Sequence, residues 1–226
     1  MGYRPKIDNS PVNDPELSLM KKIFYEKFEL KVKCVFKIVK SNLKTIYRVN
    51  LESGTNIRLD IFSKKKKVPH REFLYQKLAY ENHINVAKII GVLKVENKIW
   101  KISEWIEGVR IGDVWNLLKM FKKCGEQIAK LSLMKDPKSG NCLWLNDFNK
   151  INLIWTKEEE VYLIDFYVRP RANIDESIVE TVLRGIRTKE KIKIFLEGYS
   201  KYRDVTNIIK KLDEKNWKGK VDTMRW

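Results

Sequence analysis

The chain has 226 residues, 43% of them hydrophobic and 33% charged, which is enough for a sizeable core in one large domain or two small lobes. The apolar runs are strand-sized and broken by Lys or Glu, and the first residues contain no apolar segment, so we expect neither a transmembrane helix nor a secretory signal. Three cysteines at unrelated spacings and only two histidines argue against a zinc site or a His-rich metal site. The cysteines also indicate a reducing compartment, hence a cytoplasmic protein.

The net charge is +17, from 46 basic and 29 acidic residues. Such a charge predicts attraction to a polyanion, to nucleic acid or to an anionic membrane surface. The alternative, which we favour, is a solvated surface rich in Lys. Most basic residues are Lys, they are spread along the chain apart from residues 64–67, and no aromatic motif of the kind that stacks RNA bases accompanies them. The sequence leaves the oligomeric state open.

The first part of the chain has mainly strand patterns. A Pro in the first turn and an amphipathic spacing predict a helix over about 15–28. Three strands with short links then predict an antiparallel meander. A helical pattern predicts a helix over about 69–82, before two further strands joined by a tight turn. The five predicted strands have the sequences KVKCVFKIV, KTIYRVNLE, NIRLDIF, AKIIGVLKV and KIWKISEWI.

The pattern becomes helical after Glu107-Gly108. The change predicts an α+β chain of two lobes, with a β-rich lobe over 1–105 and a mainly helical lobe over 106–226 that contains one hairpin within 145–166. The predicted helical segments of the second lobe are GDVWNLLKMF, GEQIAKLSLM, ESIVETVLRGI, KEKIKIFLEGYSKY and VTNIIKKLDEK.

The hairpin carries polar groups at both of its ends. Asp147 and Asn152 precede the first apolar run, and Asp165 ends the second. Because the two strands of a hairpin return to the same end, we expect Asn152 and Asp165 to lie side by side, with Asp147 on the loop just before. Mg²⁺ takes hard oxygen ligands of this kind, few of them from protein, and Asp147 could orient a hydroxyl nucleophile or accept its proton. A plain hairpin with solvated polar ends is the alternative.

The spacing of these residues resembles the catalytic and metal-binding loops of the protein-kinase-like superfamily. The match consists of Asp147-x-x-x-x-Asn152, an apolar strand, and Asp165-Phe166. Upstream, ISEWIEG resembles the last small-lobe strand and the hinge, and REFL at 71–74 resembles the small-lobe helix that supplies a Glu. The resemblance covers roughly residues 31–200 and is closest to aminoglycoside-phosphotransferase-like enzymes and lipopolysaccharide core sugar kinases. It implies a two-lobed fold with a small antiparallel β lobe and a mainly helical second lobe.

Residue by residue, the resemblance implies Asp147 as the catalytic residue and Asn152 and Asp165 as the Mg²⁺ ligands. It also implies an ATP site. The residues that match ATP-binding positions are Lys44 in the phosphate-covering turn, Glu72 in the small-lobe helix, and Glu104 and Ile106 in the hinge, whose backbone groups would meet adenine.

Several positions depart from the superfamily pattern. Leu145 stands in place of the catalytic-loop His, Tyr167 stands in place of the Gly that follows Asp-Phe, and the phosphate-covering turn at 40–45 contains no Gly. Gly normally lets backbone amides approach phosphate closely. Side chains of the turn, from Ser41, Asn42 and Lys44, could substitute for that backbone contact.

The third strand departs most, because Asp60 stands near the position of the superfamily's phosphate-binding Lys. Asp60 next to Glu72 and an ATP tail would be repulsive, and burying that repulsion is costly. Arg58 lies on the same strand face as Asp60, so it could point at the phosphates with Asp60 holding it. One of the lysines at 64–67 is a second candidate.

The resemblance implies an ATP- and Mg²⁺-dependent phosphotransferase that acts on a hydroxyl of a small molecule or glycan. The chain after Asp165 shows no activation segment ending in Ala-Pro-Glu, which favours such an acceptor over a protein. Two alternatives stay open. Asp60 and the Gly-free turn favour a pseudokinase that binds a nucleotide or a partner. The net charge favours a basic nucleic-acid-associated protein of the same fold.

Overall fold

The computed structural model describes residues 10–40, 44–62, 70–114, 117–146, 148, 152–186 and 188–215. The strands are β1 (Ser10–Pro11), β2 (Val32–Lys40), β3 (Lys44–Leu51), β4 (Asn56–Phe62), β5 (Ile89–Val95), β6 (Lys98–Glu104), β7 (Val109–Arg110), β8 (Cys142–Leu145), β9 (Leu153–Trp155), β10 (Val161–Leu163) and β11 (Val168–Arg171). The helices are α1 (Asp14–Phe28), α2 (His70–Glu81), α3 (Leu118–Leu133), α4 (Ile174–Thr181), α5 (Lys189–Tyr199) and α6 (Thr206–Glu214), with a 3₁₀ turn at Ile111–Asp113 and a π-helical turn at Val182–Ile186.

The fold is α+β and divides into two compact units. The first comprises Met1–Phe73 and Ala87–Trp105, and the second comprises Leu74–Val86 and Ile106–Trp226. The first turn of α2 therefore belongs to the first unit and the rest of that helix to the second. Within the described residues, no helix combines the length and the apolar composition that crossing a bilayer requires.

The first unit is built on a six-stranded antiparallel sheet with the strand order β1-β2-β3-β4-β6-β5. The predicted meander of β2, β3 and β4 is confirmed. The strand order also shows where the last two strands lie. Strand β6 pairs with β4, and β5 lies outside β6 at the end of the sheet. Alternation along β4 gives the sheet two different faces. Leu59 and Ile61 are buried in a core that includes Met20 and Phe24 of α1, whereas Asp60 lies on the opposite face.

The helices predicted in the first half of the chain are confirmed with small shifts of their ends. Helix α1 begins at Asp14 with Asn13 as its N-cap residue, and Pro15 lies in its first turn. It ends where Glu29 adopts a left-handed backbone conformation, with φ of 57°. Such a residue closes the last helical turn and redirects the chain into β2.

The second unit packs α3 to α6 around a large apolar core, with a three-stranded sheet of order β10-β9-β7 and a two-stranded sheet of β8 and β11. The two helical segments predicted between 112 and 134 are corrected here. The described residues from Leu118 to Leu133 form the single helix α3, and Ile111–Asp113 form a 3₁₀ turn instead. The other predicted helices appear as α4 with its π-helical turn, α5 and α6.

Candidate active site

The predicted hairpin forms from β9 and β10. The strands pair antiparallel, with Leu163 opposite Leu153, and the amide of Thr156 donates to the carbonyl of Glu160 at 3.0 Å to close the turn. At the open end, the amide of Ile164 donates to the carbonyl of Asn152 at 2.8 Å. Asn152 therefore lies across from Ile164, one residue before Asp165.

The segment around Asp165 also holds the other end of the loop that precedes the hairpin. Strand β8 pairs with β11, with Leu145 opposite Val168, and the amide of Asn146 donates to the carbonyl of Tyr167 at 2.9 Å. Asn146 and Asn152 are thus bound to residues on either side of Asp165. Asp147 itself lies outside the described residues, so its predicted role stays a prediction.

Asn152 and Asp165 differ in their surroundings. Asn152 is buried, with 6% of its surface exposed, whereas Asp165 is exposed and has a φ of 53°. A left-handed conformation is uncommon for residues other than Gly, and Asp and Asn tolerate it best. The backbone therefore turns at Asp165, between the end of β10 and the start of β11.

The donor types of this pair suit a magnesium ion. An amide oxygen and a carboxylate are hard ligands, and Mg²⁺ is commonly held by one or two protein oxygens with water and phosphate completing the shell. Among the residues that the structure describes, no group of three or more His, Cys, Asp or Glu could hold a metal ion. Asn152 and Asp165 fit Mg²⁺ in type, with Asp147 as the predicted neighbour.

The third strand of the meander, β4, carries a buried ion cluster. Asp60 is fully buried, its Oδ1 accepts a hydrogen bond from Nε of Arg58 at 2.8 Å, and its Oδ2 lies 3.2 Å from Nζ of Lys101. Burial alone would raise the pKa of Asp60, but Arg58, Lys101 and Lys44 outweigh it and hold that pKa well below the usual range. The carboxylate is therefore charged and held by cations.

This geometry confirms one expectation about Asp60 and corrects another. Arg58 and Asp60 do contact each other, as their shared strand face indicated. The expectation that Asp60 would mainly add repulsion overlooked Lys101, which lies directly opposite Asp60 on β6. Alternation in KIWKISE places Lys101 on the face away from Trp100 and Ile102, but only the order of the strands shows that this face meets Asp60.

The other residues predicted to bind ATP lie in the expected elements. Lys44 begins β3, with its Nζ 5.8 Å from the ring of Phe62. Glu72 is half-buried in the first turn of α2. Glu104 ends β6, where its amide donates to the carbonyl of Lys88 at 3.0 Å and its carboxylate accepts from the amide of Lys88 at 3.1 Å. The remaining predicted positions are Ile106, which is half-buried after β6, and residues 41–43 and 64–67, which lie outside the described residues.

No protein-family model matches the chain, and no curated protein matches its sequence. Solved structures match its fold. Spectinomycin phosphotransferase in complex with ADP and spectinomycin has a TM-score of 0.68 and 11% identity, over 94% of this chain and 88% of that one. An AMP-bound form of the same enzyme has a TM-score of 0.63 and 13% identity, over 91% and 88%. Amicoumacin kinase with AMP-PNP, Ca²⁺ and its Ami ligand has a TM-score of 0.65 and 11% identity, over 93% and 85%.

The chain has the protein-kinase-like fold. The superfamily resemblance deduced from the hairpin is thereby confirmed at the level of fold, which is what identities of 11% to 13% can show. In the kinase-like fold the six-stranded sheet with the start of α2 is the small lobe, and the unit with α3 to α6 is the large lobe. The hairpin that carries Asn152 and Asp165 lies in the large lobe, and the Asp60 cluster lies in the small lobe.

Proposed function

We propose that the protein is a phosphotransferase that uses ATP and Mg²⁺ and acts on a hydroxyl of a small molecule or glycan. The observation that carries this proposal is the pair of backbone hydrogen bonds, from Asn146 to Tyr167 and from Ile164 to Asn152, that ties the loop of Asp147 to the segment of Asp165. A kinase-like fold in which these two segments are tied together supports phosphoryl transfer as the proposed reaction.

The predicted site residues would have different roles in this reaction. Asn152 and Asp165 would hold Mg²⁺, which when bound neutralises charge on the phosphates. Asp147 would orient the acceptor hydroxyl and take its proton as the oxygen bonds to the γ-phosphorus and ADP leaves. Lys44 and Arg58 would offset negative charge on the phosphates from the small lobe.

The expected acceptor is small. The enzymes of similar fold are named for spectinomycin and amicoumacin, two small molecules. In this chain β11 begins at Val168, three residues after Asp165, and α4 follows at Ile174. So short a connection leaves little chain for a peptide-binding segment of the kind that regulated protein kinases have. Dependence on ATP would also place the activity in the cytoplasm.

A nucleotide- or partner-binding pseudokinase is the second candidate. The buried carboxylate of Asp60, near the position of a phosphate-binding Lys in the superfamily, favours it. Such a protein would bind a nucleotide or a partner without transferring phosphate. Assays of ATP binding and of phosphate transfer separate the two candidates.

The test is Mg²⁺-dependent ATP binding and ATP turnover in wild type and in Asp165→Asn. Asn keeps the size of the side chain and tolerates the left-handed backbone, so the variant removes mainly the charge. We expect at least about a tenfold loss of Mg²⁺-dependent ATP affinity, because a charged metal ligand is lost. Glu159→Gln is the matched control, since Glu159 is an exposed acid of the same hairpin with a φ of 60°, and it should bind like wild type.

Turnover is measured against a panel of aminocyclitols, nucleosides and sugars, with Asp147→Asn as a further variant. We expect one acceptor class to stimulate ADP release in wild type and Asp147→Asn to bind ATP without transfer. A nucleotide affinity that changes neither with Mg²⁺ nor with Asp165→Asn, together with no transfer to any acceptor, would support the pseudokinase. Wild type that binds no nucleotide would contradict the phosphotransferase and leave only the partner-binding form of the pseudokinase.

A further inference from the structure

Lys101 is a buried cation on the strand next to the predicted phosphate-binding strand. It lies opposite Asp60 in the pairing of β6 with β4. Its side chain is 9% exposed, that of Asp60 is 0% exposed, and their charged atoms are 3.2 Å apart. Lysine ammonium groups are strongly hydrated and are rarely buried without a specific interaction.

The surroundings of Lys101 form what we call the polar face of the sheet, defined by Lys44, Arg58, Asp60, Lys101 and Ser103. Strand pairing places these residues on one side, because Lys44 is opposite Phe62, Lys101 opposite Asp60 and Ser103 opposite Arg58. The other side of the same strands contributes Leu59, Trp100 and Ile102 to the core beneath α1. Three cations and a hydroxyl thus gather on the face that α1 does not cover.

Ser103 provides an independent sign that the polar face accommodates a ligand. It is 1% exposed, and none of the residues that the structure describes forms a hydrogen bond with its Oγ. A buried hydroxyl without a hydrogen bond is costly, so it commonly marks a place where a ligand or water binds. Ser103 follows Lys101 by two residues on the same strand, so the two side chains lie on the same side.

We propose that Lys101, held in place by Asp60, binds a phosphate group of the nucleotide, with Arg58 as the second cation that holds Asp60. The proposal rests on the proposed function and assigns its phosphate contact to a residue of β6 instead of β4. The chain would then keep a lysine–carboxylate pair at its phosphate site, with the carboxylate on β4 and the lysine on the neighbouring strand. The presence of Asp60 on β4 would then no longer indicate that the phosphate-binding site has been lost.

Electrostatics on the polar face favour an anionic ligand. Burial lowers the pKa of Lys101, Asp60 opposes that effect, and Arg58 and Lys44 lower the pKa further because they repel the ammonium charge. An approaching phosphate would attract all three cations. The ring of Phe73, 5.8 Å from Nζ of Lys101, adds a favourable contact on another side of the ammonium group.

A purely structural ion pair is the competing explanation, and it is physically weaker. A buried pair seldom stabilises a fold more than apolar residues of similar size would. On the opposite face of the same strands, apolar side chains such as those of Leu59 and Ile102 are fully buried, so this sheet can pack with apolar residues. A buried lysine beside the buried hydroxyl of Ser103, which lacks a hydrogen bond, is therefore better explained by a role in binding.

The experiment compares affinity for Mg²⁺-ADP with affinity for adenosine, which has no phosphate, by calorimetric titration. The variants are Asp60→Asn, which keeps the lysine, and the double variant Asp60→Asn with Lys101→Met, which removes both charges and avoids an orphaned carboxylate. Lys98→Met is the control, because Lys98 is an exposed lysine of the same strand. Thermal unfolding of each variant checks that it folds.

We expect the double variant to bind Mg²⁺-ADP at least about tenfold more weakly than Asp60→Asn, with adenosine affinity unchanged within about twofold, because only the phosphate contact is lost. Lys101→Arg should retain most of the affinity, and Lys98→Met all of it. If the double variant folds and binds Mg²⁺-ADP as tightly as Asp60→Asn does, or loses ADP and adenosine equally, Lys101 is structural and the proposal is wrong. Wild type that binds neither compound overturns the proposed function together with it.

Discussion

Asp60 and Asp136 are two buried aspartates that the fold keeps charged in different ways. Asp60 is held by cations, whereas Asp136, at 1% exposure, is held by hydrogen bonds. Its oxygens accept from the hydroxyl of Tyr75 at 2.8 Å and from the hydroxyl and amide of Ser139 at 2.7 and 3.1 Å. The bond from the Ser139 hydroxyl, followed by that from Tyr75, outweighs burial and lowers the pKa of Asp136 to about 2.

Asp136 should make folding sensitive to acid. Its pKa falls from an ordinary 3.8 to about 2 in the fold, so its stabilising effect is complete above the ordinary pKa and is lost as the pH drops through about 2. We expect Asp136→Asn to be less stable than wild type at about pH 5 and to lose less of its remaining stability between about pH 5 and about pH 3. Urea-unfolding midpoints measure both.

A second variant checks that the effect belongs to Asp136. Asp113 is an exposed acid of the same unit, and Asp113→Asn removes the same charge without a buried hydrogen-bond network. It should show the acid response of wild type. An Asp136→Asn protein with the same drop in midpoint as wild type would contradict the prediction.

Helices α3 and α5 approach each other closely because each has a glycine at the crossing. A Cβ on Gly125 would collide with the backbone carbonyl of Phe195, and a Cβ on Gly198 with the backbone carbonyl of Lys122. Backbone atoms cannot move aside as a flexible side chain can. The close approach also lets Tyr199 of α5 place its hydroxyl 3.0 Å from that of Ser132 on α3.

The crossing predicts an unusual sign for a glycine substitution in a helix. Gly→Ala within a helix usually stabilises by about 0.5–1 kcal/mol, but Gly198→Ala should destabilise the protein by about 1–3 kcal/mol because it overpacks the crossing. Gly185→Ala is the comparison, since its Cβ would make an ordinary contact of 3.5 Å with the side chain of Phe148. Urea unfolding measures both. Equal stability of the two variants would rule out the tight crossing.

The net charge of the whole molecule, +17, is the excess of basic over acidic residues, and some of the remaining lysines form ion pairs on the surface of the second unit. Lys119 pairs with Glu159, Lys122 with Glu197, and Lys123 with Glu160. Surface pairs of this kind contribute little to stability. The interpretation of the excess charge as a general surface property rests instead on the spread of the lysines along the chain.

Salt dependence distinguishes that interpretation from a dedicated nucleic-acid site. We expect single-stranded DNA to bind weakly, and binding that rests on phosphate contacts to fall by about 10³-fold or more between roughly 50 and 200 mM salt. Mg²⁺-ADP binding should weaken much less, because buried contacts are screened less than exposed ones. Fluorescence anisotropy of labelled DNA and calorimetry with ADP measure the two. A tight DNA complex at the higher salt would instead make nucleic acid a partner.

The sequence by itself determined the fold class, the meander, the hairpin and most of the helices. β-branched and aromatic residues predicted β2 and β3, period-two alternation predicted β4, and the short links predicted the meander, because neighbouring strands of a meander are specified by local sequence. The spacing from Asn152 to Asp165 likewise placed these residues together, since the turn of a hairpin determines which positions meet. Local sequence did not fix the start of α3, where the helical pattern continues upstream of Leu118, because tertiary context overrides propensity at helix ends.

Only the tertiary structure showed which cations surround Asp60 of β4, the third strand of the meander. Asp60 and Lys101 lie far apart in the sequence and meet because β6 inserts beside β4 with β5 outside it. The approach of Gly125 to the α5 backbone is equally non-local. No local pattern specifies such pairings, because the order of non-consecutive strands and the crossing of helices depend on burying apolar surface over the whole chain.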